Sequence, residues 1–300
     1  MPDNTINRDT LHHLTPLAPG IEESLRAASL HALSTEGSFS RARLAQGLAL
    51  SLDLPAPQAE KLGTGIELFH LASLLLDDLP CMDDAQVRRS APCTHKLYGD
   101  STTILSALGL INRAYCLLWK VFAESGGAVQ NEAAKLTNDC LGFAGILDGQ
   151  AKDIHYFLIY NDGSLVSEIA EKKTGSLLRL CLLLPAILAG ASRYEKLQLA
   201  NLASDWGLAY QFADDLKDLY YGESVSGKTA QRDVELGRPN MALAIGESAT
   251  ASLLRSLIKQ ARGRVDSLET SNPGKYATLQ EFQTRLSEKV APLLEAFMAA

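Results

Sequence analysis

The sequence predicts an all-α fold, a single bundle of about ten helices. Three observations lead there. Apolar residues recur at three- and four-residue spacing through nearly all of the 300 positions, the period of helices that bury one face. Apolar–polar alternation between turn signals, the mark of a strand, is almost absent. The interruptions "DLPAP" (53–57), "ESGGA" (124–128), "YNDGS" (160–164) and "YYGESVSGK" (220–228) are short turn signals, too short to link two domains.

In chain order, residues 1–20 are polar and punctuated by proline, which predicts a flexible tail ahead of one domain over 21–300. Helical periodicity then covers 21–34, 40–51, 58–78, 101–123, 130–155, 165–190, 193–219, 240–263 and 276–299. The third of these carries "GTGIELFHLASLLLDD" and stops because Pro80 removes a backbone donor.

Composition narrows the function. With 46% hydrophobic residues the chain can bury a substantial core. A formal charge of −7 without a basic tract argues against nucleic acid as a partner. Cys81, Cys93, Cys116, Cys140 and Cys181 lack C-x-x-C spacing and are odd in number, which fits reduced thiols better than a disulfide framework or a zinc site. The first residues lack the basic start and apolar core of a secretory signal. The apolar stretch "LCLLLPAILAGA" from Leu180 is too short to span a bilayer. We expect a cytoplasmic protein with no membrane span.

The segment "SLLLDDLPCMDDAQVRRSAP" (73–92) carries the first chemistry. Asp77 and Asp78 stand at the C-terminal end of an apolar helix, where the macrodipole disfavours anions. Asp83 and Asp84 follow six residues after each. Farther on, "WGLAYQFADDLKDLYYG" places Asp214 and Asp218 four residues apart on one helical face, with Gln211 a turn earlier. Carboxylates so spaced repel unless a cation lies between them. Mg²⁺ prefers oxygen ligands and takes one or two carboxylates with phosphate oxygens, so two facing clusters would clamp a diphosphate through shared metals. The plainer alternative is a pair of solvated helix ends matched by lysines. Arg88 and Arg89 close behind the first cluster, Lys173 and Thr174 in "EKKTGSLLRL", and Lys228 in the loop after the second cluster are phosphate-binding candidates.

Taken together, "DDLPCMDD-x-x-x-RR-x-x-P" (77–92) and "YQFADDLKD" (210–218) resemble the two aspartate-rich motifs of the trans-prenyl diphosphate synthases. "HLASLLLDD", "KTGSLL" and "GILDGQAKD" (145–153) match that family in position and order. The DD-x-PCMDDA pattern is shared with bacterial geranylgeranyl diphosphate synthases of carotenoid pathways. The resemblance runs from about residue 20 to the C-terminus. It implies the isoprenoid synthase fold around a deep cavity, a homodimer, and condensation of isopentenyl diphosphate with an allylic diphosphate using about three Mg²⁺ ions.

By position in those motifs, Asp77, Asp83 and Asp214 would ligate metal, with Asp78, Asp215 and Asp218 in support. Arg88, Lys173 and Lys228 would hold the allylic diphosphate, and Arg41, His70 and Arg89 isopentenyl diphosphate. Thr174 and Gln211 would face the developing allylic cation. Two departures stand out. The early "G-G-K-R-x-R-P" motif reads "GSFSRARLA" (37–45), with Ser40 in place of a lysine that helps bind isopentenyl diphosphate, and Arg238 replaces a later lysine, where it would still contact substrate phosphate. On the helix ending at Asp77, the small Ala72 and Ser73 leave room for a C20 product, with Phe69 as the next candidate floor. A C15 product, a low-activity partner subunit and a class I terpene cyclase are the alternatives. The cyclase is disfavoured because "DDLKD" stands where its N-x-x-x-[ST]-x-x-x-E motif would be.

Overall fold

The computed structural model describes residues 5–35, 37–89, 91–156, 162–220 and 237–297. The described helices are α1 (Arg8–Leu14), α2 (Glu23–Ser34), α3 (Ser40–Ser51), α4 (Ala56–Asp77), α5 (Thr94–Tyr98), α6 (Asp100–Phe122), α7 (Gly127–Leu141), α8 (Ile146–His155), α9 (Gly163–Ala170), α10 (Ser176–Leu188), α11 (Arg193–Tyr220), α12 (Met241–Ile245), α13 (Glu247–Ser271) and α14 (Ala277–Ala296). A two-residue antiparallel hairpin, β1 (Val87–Arg88) with β2 (Ala91–Pro92), is the described sheet. The expected all-α architecture is what forms.

Helix α4 runs through the middle and is apolar on most sides, as a fully packed core helix must be. It lies against α3, α6 and α10. Two glycines let neighbours approach. A Cβ at Gly63 would stand 2.6 Å from the Ala42 carbonyl oxygen of α3, and one at Gly65 would meet Leu118 of α6 at 3.0 Å. Any larger side chain would push these helices apart.

Two predicted helices are broken. The stretch 130–155 divides into α7 and α8 at Gly142–Gly145. A Cβ at Gly142 would come within 2.5 Å of the Asn138 carbonyl oxygen, so the chain turns there tightly enough to need glycine. The stretch 240–263 divides into α12 and α13 at Gly246, whose φ of 88° lies in the left-handed region. The stretch 165–190 is continuous but not uniform, because Glu171–Gly175 forms a π-helical turn between α9 and α10.

Of the flexible tail expected over residues 1–20, the described stretch from Ile6 to Leu14 is packed onto the fold instead. Asn7 caps α1 by accepting from the Thr10 amide at 3.0 Å, and Ile6 and Leu11 are completely buried. The Ile6 amide donates to Gln46 Oε1 at 3.0 Å, and Arg113 Nε of α6 donates to the Leu14 carbonyl at 2.5 Å. Two apolar anchors in a polar segment were too sparse to register as periodicity. Of the described helices, α6 is long and apolar enough by composition to cross a membrane, yet it carries Arg113 and Lys120 and packs along α4. Leu11→Ala should cost about 2–4 kcal/mol by urea denaturation, the range for a buried leucine. An unchanged midpoint would return the segment to a loose tail.

Candidate active site

At the end of α4 the backbone turns back on itself. The Asp83 amide donates to the Asp77 carbonyl at 2.9 Å, Asp84 to Leu79 at 3.0 Å and Ala85 to Asp78 at 3.2 Å. These bonds satisfy carbonyls that a helix end leaves open. They also bring Asp83 back beside Asp77, which is what the six-residue spacing encodes. Asp84 takes φ 45° to complete the turn.

The two aspartates of the first pair do different things. The Asp77 carboxyl is raised to about 6, chiefly by burial and also by Asp83 and Asp153, against the pull of Lys173 and Arg88. Asp78 points the other way and is buried against Arg88, whose Nη2 lies 2.5 Å and whose Nε lies 2.7 Å from Asp78 Oδ1. Asp78 is thus tied to a guanidinium, and Arg88 anchors the hairpin to the helix end.

Lys173 sits on the π-helical turn, which two glycines clamp. A Cβ at Gly149 of α8 would collide with the Lys173 backbone nitrogen, and one at Gly207 of α11 would lie 2.7 Å from the Gly175 Cα. So held, Lys173 Nζ donates to Asp153 Oδ2 at 2.5 Å. Burial alone would lower its pKa, but Asp153, Asp77 and Asp83 outweigh that and raise it. Around the turn, Lys152 and Lys172 bridge Asp148 and Glu168 at 2.6–3.1 Å and fasten α8 to α9. Thr174 Oγ1 donates to Gln211 Oε1 at 2.8 Å, so the two oxygens expected to face a cation are together.

On α11, Asp214 is exposed, 3.6 Å from Lys217. Asp218 is partly buried one turn on. Asp215 is buried and both its oxygens are in use: Oδ1 accepts from Gln211 Nε2 at 2.9 Å, and Oδ2 from the Met241 amide at 2.8 Å. It holds the start of α12. Arg238, expected to meet phosphate, is buried and donates to the Met82 carbonyl at 2.9 Å, to Asp83 Oδ1 at 3.1 Å and to the Asp153 carbonyl at 3.2 Å. It ties the acidic turn to α8. Lys228 lies outside the described residues.

A second polar cluster lies two turns back along α4. Arg41 Nη1 of α3 is 3.3 Å from His70 Nε2. Buried Glu67 accepts from the Ala42 amide at 3.3 Å. Burial raises its pKa, against the pull of Arg41, the Ala42 amide, Arg89 and Arg43. The Arg89 guanidinium lies over Gly37, where a Cβ would stand 2.5 Å from Nη1. The residues assigned to one diphosphate, Arg41, His70 and Arg89, therefore gather around one carboxylate.

The sequence pattern of the Polyprenyl synthetase family matches residues 22–272. The chain belongs to that family. It is 32% identical over 208 residues to the geranylgeranyl diphosphate synthase of Pseudescherichia vulneris, a match spanning 68% of this chain and 65% of that protein, under two-thirds of its length. It is 29% identical to the farnesyl diphosphate synthase of Bacillus subtilis, over 70% of this chain and 72% of that one. In fold it resembles a Helicobacter pylori geranyltransferase solved with magnesium and isoprenyl diphosphate. That likeness has a TM-score of 0.77 at 22% identity, over 95% of this chain and 94% of that chain.

Against this family background, the carboxylates suit magnesium. Among the described residues no three metal-ligating side chains form a self-sufficient cage. Mg²⁺ does not need one, since it fills its shell with phosphate oxygens and water around one or two carboxylates. Asp77 beside Asp83 is such a donor set. Of the chain-length positions, Ala72 is fully buried, Phe69 is buried edge-on against Tyr115 at 4.8 Å, and Ser73 is part-exposed and donates to the His70 carbonyl at 2.9 Å. Ser73 shares the face of His70 and Asp77, whereas Ala72 is turned into the packing.

Asp153 and Glu67 were given no role from sequence. Asp153 ends the quoted "GILDGQAKD", and Glu67 is a lone carboxylate within an apolar helix. A charge embedded where a core helix should be apolar was the available signal.

The raised Asp77 pKa has a testable sign. The folded protein holds this proton more tightly than the unfolded chain, so the metal-free protein loses stability as pH rises from about 4 through about 6. The loss is at most roughly 3 kcal/mol. Asp77→Asn should flatten that part of the stability–pH curve, read by denaturation at stepped pH. Parallel curves for variant and native protein would show that Asp77 ionises freely.

Proposed function

We propose that the chain is a Mg²⁺-dependent short-chain trans-prenyl diphosphate synthase, condensing isopentenyl diphosphate with an allylic diphosphate, with a C20 product. The observation that carries this reading is the pairing of two polar seats on one helix. Asp77 and His70 are seven residues apart on α4, about 10 Å at the helical rise. One seat joins carboxylates with Lys173 and suits a metal-bound diphosphate. The other is cationic and suits a diphosphate bound without metal. A cyclase, which handles one diphosphate, has no use for the second.

Asp77, Asp83, Asp214 and Asp218 would hold about three Mg²⁺ ions, with Asp153 joining once Lys173 turns to phosphate. Bound there, magnesium supplies positive charge that stabilises the leaving diphosphate. The protein's own groups do the remainder. Lys173 neutralises oxygens of the allylic diphosphate as its carbon–oxygen bond breaks, an example of preorganised electrostatic stabilisation. Thr174 and Gln211 turn oxygens toward the allylic carbons. Arg41, His70 and Arg89 fix isopentenyl diphosphate so that its double bond attacks those carbons. The proton then lost from the isopentenyl unit passes to the departing diphosphate, and apolar walls keep water from the cation.

A homodimer fits the outer face of α6, where Ile104, Leu105, Leu108 and Trp119 are exposed, a contiguous apolar stripe of the kind that marks an interface. A cytoplasmic location suits five unpaired cysteines. C15 is the second reading for the product, since relatives of similar identity include both geranylgeranyl and farnesyl diphosphate synthases.

Asp77→Ala and Asp214→Ala should each slow turnover on the order of 10³-fold, about 4 kcal/mol of transition-state stabilisation. Near-native turnover of either variant with Mg²⁺ would refute the two-cluster clamp. The growing chain would pass Ser73 on the His70–Asp77 face and reach Phe69 a turn below. Ser73→Phe should therefore shift product from C20 toward C15, read by sizing the dephosphorylated products. A native enzyme that stops at C15 would place the floor above Phe69.

A further inference from the structure

Tyr210 of α11, one residue before Gln211, collects two cations from helices far apart in sequence. Lys289 Nζ of α14 lies 4.5 Å from the ring centre and donates to the phenol oxygen at 3.2 Å. The Arg41 guanidinium of α3 lies 6.0 Å from the same centre. Among the described residues neither forms a salt bridge to a carboxylate. The Nε of Arg41 is buried with no hydrogen-bond partner, an arrangement that carries a penalty until an acceptor arrives. Cations gathered on one ring repel each other, and an anion between them removes that repulsion.

The start of α3 adds to the same seat. Its N-cap, Phe39, is in the left-handed region at φ 50° and offers no side-chain acceptor, and Glu67 takes the Ala42 amide in the first turn. Ser40 is the first residue of that helix, and Arg41 the second. Position 40 is also where the sequence lacks the expected lysine. Helices α3 and α14 are in contact, so α14 can bring a charge to this end of α3.

We propose that Lys289 supplies the cation missing at position 40 and, with Arg41 and His70, completes the seat for the diphosphate of isopentenyl diphosphate. The inference rests on the two-substrate reading above. Tyr210 acts as the platform: its ring face attracts the ammonium and its hydroxyl orients it, which lowers the entropy lost when a long, exposed side chain is held in place. Lys289 is therefore a substrate-binding residue contributed by the last described helix.

The experiment compares full-length native protein with Lys289→Ala, Lys289→Arg and the double variant Lys289→Ala/Ser40→Lys, all with Mg²⁺. A lost charge-assisted phosphate contact should raise the Michaelis constant for isopentenyl diphosphate about tenfold or more in Lys289→Ala. The constant for the allylic primer should not rise with it. Lys289→Arg should stay within about threefold of native, and the double variant should recover most of the loss. Calorimetric titration of isopentenyl diphosphate alone should show the same order of affinities. If the native protein forms no prenyl product, the synthase reading falls and this inference with it. If product forms and Lys289→Ala leaves the isopentenyl constant unchanged, or raises both constants equally, only the inference is overturned.

Discussion

The site depends on one part-buried ammonium group. Lys173 stands among Asp153, Asp77 and Asp83, and removing a charge from water is tolerable only where opposite charges surround it. Each of those carboxylates would be costly without Lys173, and Lys173 would be costly without them. Their positions constrain much of the surrounding fold. Asp83 must return to Asp77, so the chain after α4 closes on itself through backbone bonds. Asp153 must reach the π-helical turn, so α8 crosses it at Gly149. Gly175 must sit against α11, so α11 passes at Gly207. Arg238 then joins the acidic turn to α8 from a third direction.

Helix α4 carries this arrangement because it is packed on nearly every side. A helix exposed along one face could slide or tilt, but α4 is held by α3 and α6 through glycines that leave no gap. Its polar residues are therefore fixed in register: Glu67 and His70 at one level, Asp77 two turns on. Glu67 binds the α3 backbone and attracts the arginines of α3 and the hairpin. One buried carboxylate thus orders a cationic seat, much as one part-buried ammonium orders the acidic one.

The helix-level fold was legible in the sequence because 3.6-residue periodicity is a strong signal over long segments, and α3, α4, α6 and α11 end within two residues of expectation. The breaks at Gly142–Gly145 and Gly246 were not, since an isolated glycine inside a periodic pattern does not say whether it serves packing or a turn. The π-helical turn has no periodic signature at all. For the site, charge types and spacing singled out Asp77, Asp83, Lys173, Thr174, Gln211, Arg41 and His70, which the structure gathers into local polar clusters. They could not tell which charges pair with each other, Arg88 with Asp78 and Arg238 with Asp83. Pairing is set by tertiary approach, and nothing in local spacing records it.

The paired aspartates show most clearly what spacing hides. Consecutive residues on a helix point about 100° apart, so the members of an Asp-Asp pair cannot both face one ligand. In the first pair Asp77 lies beside Asp83, while Asp78 turns inward to Arg88. In the second, Asp214 is exposed and Asp215 turns inward to Gln211 and the α12 amide. The second residue of each pair is the more deeply buried, and each closes a structural joint: hairpin to α4, and α12 to α11. Doubling the aspartate therefore leaves one carboxylate of each pair outside the joint that the other closes, so that the helix end bearing the first is held in place by the second.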